Sequence, residues 1–317
     1  MKWLRIIIEP YSSLLFVNLG VLVLNIDMVM SRDVTPIFKL YDMHSDERFV
    51  YVGDRYLYNV FKSMDICKIY QAKINNETIG CIYTLEYMYS CGWIGGLLVH
   101  RRFRHRGIGR ELVERAINSL KTPYTYLFVE PENTIGLRLF RKLDFKPIYR
   151  RLIYTIHPIT LQRKFKQFKA TYDVEFEELV RALGFKERKG IVNLGYYPIK
   201  INEKVFNDLR DRGKVMKYGS IIVIIEKSHS IDVNGYEFIF NKYILEKVKH
   251  PPYKVQGKVV EVNPFYIKQN ATDLLELLSY LLREADKIML WTWGDDPVTH
   301  SMPFKEVLGA LVMELAI

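Results

Sequence analysis

Between Trp93 and Ile117 the chain passes from an apolar run, Trp93-Ile-Gly-Gly-Leu-Leu-Val99, through a basic loop into an amphipathic helical pattern. No other feature restricts the fold as much, because a buried strand, a short loop and a helix in succession belong to a mixed α/β architecture. The loop carries Gly107 and Gly109, whose missing Cβ atoms let backbone amides approach an anion closely. The helix beginning at Ile108 adds unpaired N–H groups and the positive end of its dipole. Arg104, Arg106 and Arg110 supply charge that amides alone lack. The segment reads as a phosphate cradle.

The spacing Arg104-x-x-Gly107-x-Gly109 resembles the pyrophosphate-binding signature of the GCN5-related N-acetyltransferase (GNAT) superfamily, which follows that fold's fourth strand and grips coenzyme A. A second resemblance lies at the expected distance. Tyr126-Leu-Phe-Val-Glu-Pro-Glu-Asn133 reads as a strand, and Thr134 to Leu143 as a short helix ending in Asp144-Phe145. Asn133 and Phe145 match the family, whereas Gly136, Phe140 and Asp144 stand where Ala, Tyr and Gly are usual. The likeness covers about residues 35 to 155. It implies an α+β fold, a central mixed β-sheet flanked by helices, with acetyl-coenzyme A as cosubstrate and no metal. On this reading Leu97, Leu98 and Val99 offer backbone groups to the pantetheine arm and the thioester carbonyl oxygen, and Arg104, His105, Arg106, Gly107, Ile108, Gly109 and Arg110 hold the pyrophosphate. Asn133 and Phe140 complete the cofactor-binding set.

A chain of 317 residues exceeds the usual size of one domain, so two are expected. The excess of 46 Lys+Arg over 36 Asp+Glu gives a formal charge of +10, which suits anionic partners without choosing among them. Part of it sits in the cradle, where a polyphosphate coenzyme accounts for it, so nucleic acid has no strong signal beyond net charge. Cys67, Cys81 and Cys91 show no paired spacing, and the seven histidines no ligand spacing, so neither disulfides nor a metal site is expected and a reducing cytoplasm fits. The apolar stretch Leu14 to Ile26 is short for a membrane span, and no small-residue cleavage site follows it. Residues 1–29 have two readings, an extension ahead of a true start near Met28 or Met30, or an extra strand or helix packed on the domain.

Alternation predicts a strand over Lys68–Ile74, a turn at Asn75-Asn76-Glu77 and a hairpin partner over Thr78–Met88. A strand over Trp93–Val99, a helix over Ile108–Leu120 and a last strand over Lys146–Ile156 complete a first domain at residues 30–157. Residues 158–317 resemble a degenerate second copy in tandem. There Lys258–Val262, Ala271–Ala285 and Lys287–Trp293 repeat strand, helix and strand, and Val99 to Val129 spans 30 positions where Val262 to Trp293 spans 31. Pro264-Phe-Tyr-Ile-Lys-Gln-Asn270 replaces the cradle without a glycine, so this copy should not bind pyrophosphate. Its expected uses are packing, homodimerisation or walling the acceptor cleft. Trp291 and Trp293 with Asp295 and Asp296 read either as an amine site or as core followed by a solvated turn.

The resemblance implies attack of a primary amine, on a protein or a small molecule, upon the thioester. Glu130 and Glu86, each near a strand end, are the candidate bases. Phe128 holds the position of the base in relatives that modify ribosomal protein termini and cannot take a proton, but Glu130 shares its strand face. Phe140 replaces the Tyr that many relatives use as acid, which leaves a non-catalytic acyl-coenzyme A sensor as the alternative.

Overall fold

The computed structural model describes residues 17–19, 22–157, 169–299, 302 and 306–316. The chain divides into two units, one of residues 1–85 and 94–120, the other of residues 86–93 and 121–317.

In the first unit β1 (Val17–Leu19) and β2 (Leu22–Leu24) pair antiparallel with each other. β3 (Asp27–Met30) leads to α1 (Thr35–Asp42) and α2 (Asp54–Phe61), followed by β4 (Cys67–Ile74), with which β3 pairs antiparallel. The end of the expected N-terminal extension is thus a strand of the sheet. Its beginning, including part of the apolar stretch at Leu14, lies outside the described residues. Asn75 and Asn76, at φ 48° and 65°, make the two-residue turn whose twist suits a hairpin, and Asn tolerates this backbone region. The turn delivers β5 (Glu77–Tyr87), which is followed by β6 (Cys91–Val99), and the strand order is β6-β5-β4-β3.

α3 (Ile108–Ser119) buries Ile108, Leu112, Val113 and Ala116, the stripe expected from the sequence. Gly80 of β5 admits this helix, since a Cβ there would stand 3.0 Å from Leu112 Cδ1. Three positions on, and so on the opposite strand face, Tyr83 meets Tyr58 of α2 edge-on at 5.2 Å. Helices therefore cover β5 on both faces, and Thr78 to Leu85 are buried without alternation.

The second unit contains β7 (Tyr124–Val129), α4 (Thr134–Lys142), β8 (Lys146–Ile156), α5 (Phe176–Arg181), β9 (Ile191–Leu194) and β10 (Tyr197–Lys200). Then come α6 (Glu203–Asp211), β11 (Val215–Tyr218), β12 (Ile221–Val233), β13 (Tyr236–Asn241) and α7 (Lys242–Lys247). β14 (Lys254–Tyr266), α8 (Ala271–Leu281), β15 (Lys287–Trp293) and β16 (Glu306–Ala316) close the chain. The strand order here is β11-β12-β14-β15-β8-β16-β7, and β7 pairs in parallel with Cys91–Trp93, the part of β6 that belongs to this unit. Only β14 with β15 and β7 with β6 are parallel neighbours along this order, the other pairings being antiparallel, which makes the arrangement mixed α/β.

The two strands expected to flank the helix of the second copy are parallel neighbours, Val259 to Val262 of β14 against Lys287 to Leu290 of β15. The expected boundary near residue 157 is not where the chain divides. β16 lies between β7 and β8, antiparallel to both, and so gathers these strands of the expected first domain into the second unit. Ile153, Ile239, Val259, Met289 and Trp291 form a core cluster there. Cys67, Cys81 and Cys91 are buried free thiols. Among the described residues no helix is long and apolar enough to cross a membrane, and no three His, Cys, Asp or Glu side chains are grouped to hold a metal.

Candidate functional site

β6 ends at Val99 and the chain turns through a short 3-10 helix, Arg101–Phe103, before α3. His100 anchors the turn. Its N–H donates to Ile79 O at 2.8 Å, and its ring Nδ1 accepts from Arg102 N at 3.2 Å. His105 and Gly107 then take left-handed backbone, φ 61° and 84°. Gly107 occupies the N-cap of α3 and offers no side-chain cap, unlike the asparagines that open α4, α6, α7 and α8. Its carbonyl accepts from Glu111 N at 3.0 Å. The amides of Ile108, Gly109 and Arg110 precede that bond and have no carbonyl within the helix to pair with. Ile108 is buried, whereas Gly107 is exposed and Gly109 half-buried, so the glycine positions open outward while the isoleucine roots the loop.

The three arginines of this loop differ in role. Arg104 is a clamp: its Nε donates to Val99 O at 2.9 Å, and its Nη2 lies 2.7 Å from Glu47 Oε2. Glu47 also receives His44 Nδ1 at 2.6 Å. Burial alone would raise the Glu47 carboxyl, but these two partners outweigh it and hold the group below its ordinary range. Arg106 stands over the Phe103 ring at 5.6 Å, and Arg110 is exposed and paired to Glu114 one helical turn on. These two are the arginines that an anion at the amides would meet. His44 and Glu47, which orient Arg104, carry no motif by which sequence reasoning could have found them.

Leu97 and Val99 are half-buried and Leu98 is buried. One of the backbone groups expected to serve a ligand, Val99 O, is already used by Arg104. Glu86, Glu130, Asn133 and Phe140 belong to the second unit. Asn133 caps α4, its Oδ1 accepting from Gly136 N at 2.9 Å. Phe145 N donates to Phe140 O and Asp144 N to Arg141 O, at 3.1 and 3.2 Å, the paired bonds of a left-handed helix stop. Phe140 meets Phe145 at 5.8 Å, the apolar contact that accompanies such a stop. The departure at Asp144 is thereby explained, since φ 63° favours Gly and, after it, Asn or Asp.

The two candidate bases stand at opposite ends of β7. Glu86 Oε1 accepts from Lys121 N, ahead of the strand, at 3.4 Å, whereas Glu130 follows its last residue. Glu130 is half-buried and acts electrostatically on Arg151, whose guanidinium is driven down mainly by burial. Phe128, next to last in β7, stacks on that guanidinium at 3.3 Å.

The cradle has no counterpart at α8. Asn270 Oδ1 accepts from Thr272 N and Asp273 N, at 3.0 and 3.4 Å, and so occupies the helix start. The Asp273 carboxylate accepts from Ser220 N at 2.8 Å beside Gly219, where a Cβ would lie 2.4 Å from that oxygen. A negative charge already stands where a phosphate would bind. The aromatic strand β15 is core: Trp291 is 0% exposed and Trp293 4%. Their faces take the chain's own cations, Arg151 at 5.1 Å from Trp291 and Arg188 at 5.2 Å from Trp293. Asp296 accepts from Tyr266 Oη and from the amides of Val298 and Thr299. Asp296 is itself buried, so the core reading holds for the strand but the turn after it is not the solvated one expected.

Residues 37–145 match the model of the Acetyltransferase (GNAT) family. No curated protein matches the chain in sequence. Among solved structures, a proposed acetyltransferase from Thermoplasma acidophilum is 13% identical over 92% of this chain and 99% of its own, with a TM-score of 0.49. A GCN5-related N-acetyltransferase from Sphaerobacter thermophilus is 12% identical over 92% of this chain and 95% of its own, at 0.46. A proposed acetyltransferase from Salmonella typhimurium with its cofactor acetyl-CoA is 16% identical over 40% of this chain and 83% of its own, at 0.34. The cradle from Arg104 to Arg110 lies inside the matched segment, and residues 37–145 of this chain are a GNAT-family acetyltransferase domain.

Proposed function

We propose that the protein transfers an acetyl group from acetyl-coenzyme A to a primary amine. The observation that carries this reading is the uncapped start of α3, with Gly107 at φ 84° and the amides of Ile108 to Arg110 unclaimed by the helix. A pyrophosphate suits it in charge and in hydrogen-bonding type, and Arg106 and Arg110 add cations. When bound, the coenzyme supplies an activated thioester. Arg104, held by Glu47, fixes the turn between β6 and α3 so that the amides stay aimed. Leu97 N–H is the donor for oxygen charge that develops during acyl transfer.

An amine nucleophile must be neutral. A lysine of pKa about 10.4 costs roughly 4–5 kcal/mol to deprotonate at pH 7, an α-amine near 7.8 only about 1. Glu130 is the proposed acceptor of that proton, because it directly follows the last residue of β7. Glu86, at the other end of the strand, is the lesser candidate. Phe140 packs in the helix stop and donates nothing, so the departing thiolate, from a thiol of pKa about 8.5, leaves with a proton from solvent. The three buried free thiols agree with a reducing cytoplasm as the working compartment.

The segment from residue 158 onward is proposed to be a degenerate copy of the first domain that binds no coenzyme. An acetylation assay with pooled lysine peptides, free protein N-termini and small amines tests the function. Coenzyme-dependent acetylation of one class is expected. Tight coenzyme binding with no acetylation of any class would favour the acyl-coenzyme A sensor instead.

A further inference from the structure

Gly96 lies in the middle of β6 at φ 67°, which strands do not ordinarily contain. A side chain is excluded there twice over, since a Cβ would stand 2.7 Å from Tyr58 Oη and 2.9 Å from a Tyr83 ring carbon. The Gly96 carbonyl accepts from Tyr58 Oη of α2 at 2.6 Å, from Tyr41 Oη of α1 at 3.4 Å and from Cys81 Sγ of β5 at 3.8 Å. All three donors are buried. Burial pushes both phenols well above their ordinary range and the Cys81 thiol up to about 12, so each keeps its proton throughout the neutral range. A strand carbonyl that draws two phenols and a thiol is held in one orientation by tertiary structure.

The peptide joining Gly96 to Leu97 is trans, so the Leu97 N–H points opposite to the Gly96 carbonyl. The carbonyl is drawn toward α1 and α2, and the N–H is therefore turned away from both. We infer that Tyr58 is a positioning residue for acyl transfer, pinning the Gly96–Leu97 peptide so that the Leu97 N–H is presented to the thioester carbonyl oxygen of acetyl-coenzyme A. Tyr41, with the longer contact, assists. This rests on the coenzyme reading above and adds a residue that touches neither the coenzyme nor the amine. Loss of one preorganised donor at such a site lowers turnover about 100–1,000-fold. A peptide left free to rotate still points correctly part of the time, so Tyr58→Phe should lower kcat by roughly 10–100-fold.

Tyr58→Phe keeps the ring and removes the donor. The decisive readout is the infrared carbonyl band of acetyl-coenzyme A carrying 13C at the thioester, measured in complex with the full chain. In the wild type the band should fall below its free frequency. In Tyr58→Phe it should return most of the way, in Tyr41→Phe less, while affinity for coenzyme A stays within about twofold, because the pyrophosphate loop is untouched. A band displaced equally in the wild type and Tyr58→Phe, with both bound, overturns the inference and leaves the coenzyme reading standing. Should Tyr58→Phe not fold, the Leu97 amide resonance of the wild type decides. It should move further with acetyl-coenzyme A than with coenzyme A, and equal movement overturns the inference. No binding of coenzyme A to the wild type removes both readings together.

Discussion

At Gly107 the backbone conformation itself selects the residue. At φ 84° a side chain costs about 1–2 kcal/mol, and a β-branched one more. Gly107→Val should therefore redirect the first amides of α3 and abolish coenzyme A binding. Glu47 gives a prediction in pH. Its carboxyl is held below 4.5 when folded, so the unfolded chain binds the proton more readily, and the stability it contributes is present above about pH 4.5 and lost as pH falls through the folded value. Below pH 4.5 the melting temperature of Glu47→Gln should depend less steeply on pH than that of the wild type; equal slopes would show that the His44–Glu47–Arg104 chain contributes nothing to folding. Glu130→Gln should lower turnover about 100-fold or more near neutral pH and recover at alkaline pH, where the amine needs no base. A uniform loss across pH would assign Glu130 to binding. The glycines and arginines of the loop were legible in sequence because their chemistry is local. His44, Glu47 and Tyr58 were not, because Glu47 and Tyr58 act on residues 57 and 38 positions away and His44 acts through Glu47.

At the scale of elements, the helix stop after α4 shows how a family signature and a local structure can share residues. Asn133 caps the helix, Phe140 and Phe145 close it, and Asp144 supplies the left-handed residue. Asp144→Gly should stabilise the protein by up to about 1 kcal/mol, read as a shift in the denaturation midpoint at constant slope. A loss of stability would mean that the Asp144 side chain has a role beyond tolerating its backbone. Helix α3 was legible from its apolar period, and strands β8 and β15 to their end residues, β15 through its likeness to an earlier strand. α8 ends at Leu281, short of the expected Ala285, where the apolar pattern lapses. Its closed N-terminus was half legible: the lack of glycine showed in the sequence, but the asparagine cap and the Asp273 contact to Ser220 depend on the fold.

In the whole molecule, the pairing of β16 decides which strands gather in the second unit. This last strand supplies a partner to both β7 and β8, and Val312 and Met313 within it are 0% exposed. Nothing local in residues 306–316 announces those partners, which lie more than 150 positions earlier, and this is why the expected boundary near residue 157 did not emerge. Removing residues 306–317 would leave β7 and β8 each with an unpaired edge in the interior. The truncated chain should lose cooperative unfolding of the second unit, and a retained wild-type transition would show that β16 is an accessory strand. The central claim concerns the cradle, and titration calorimetry of coenzyme A tests it most directly. One site per chain is predicted for the wild type and for Asn270→Ala, and none for a folded Gly107→Val. Undiminished affinity in Gly107→Val, or a second site lost with Asn270→Ala, would contradict it.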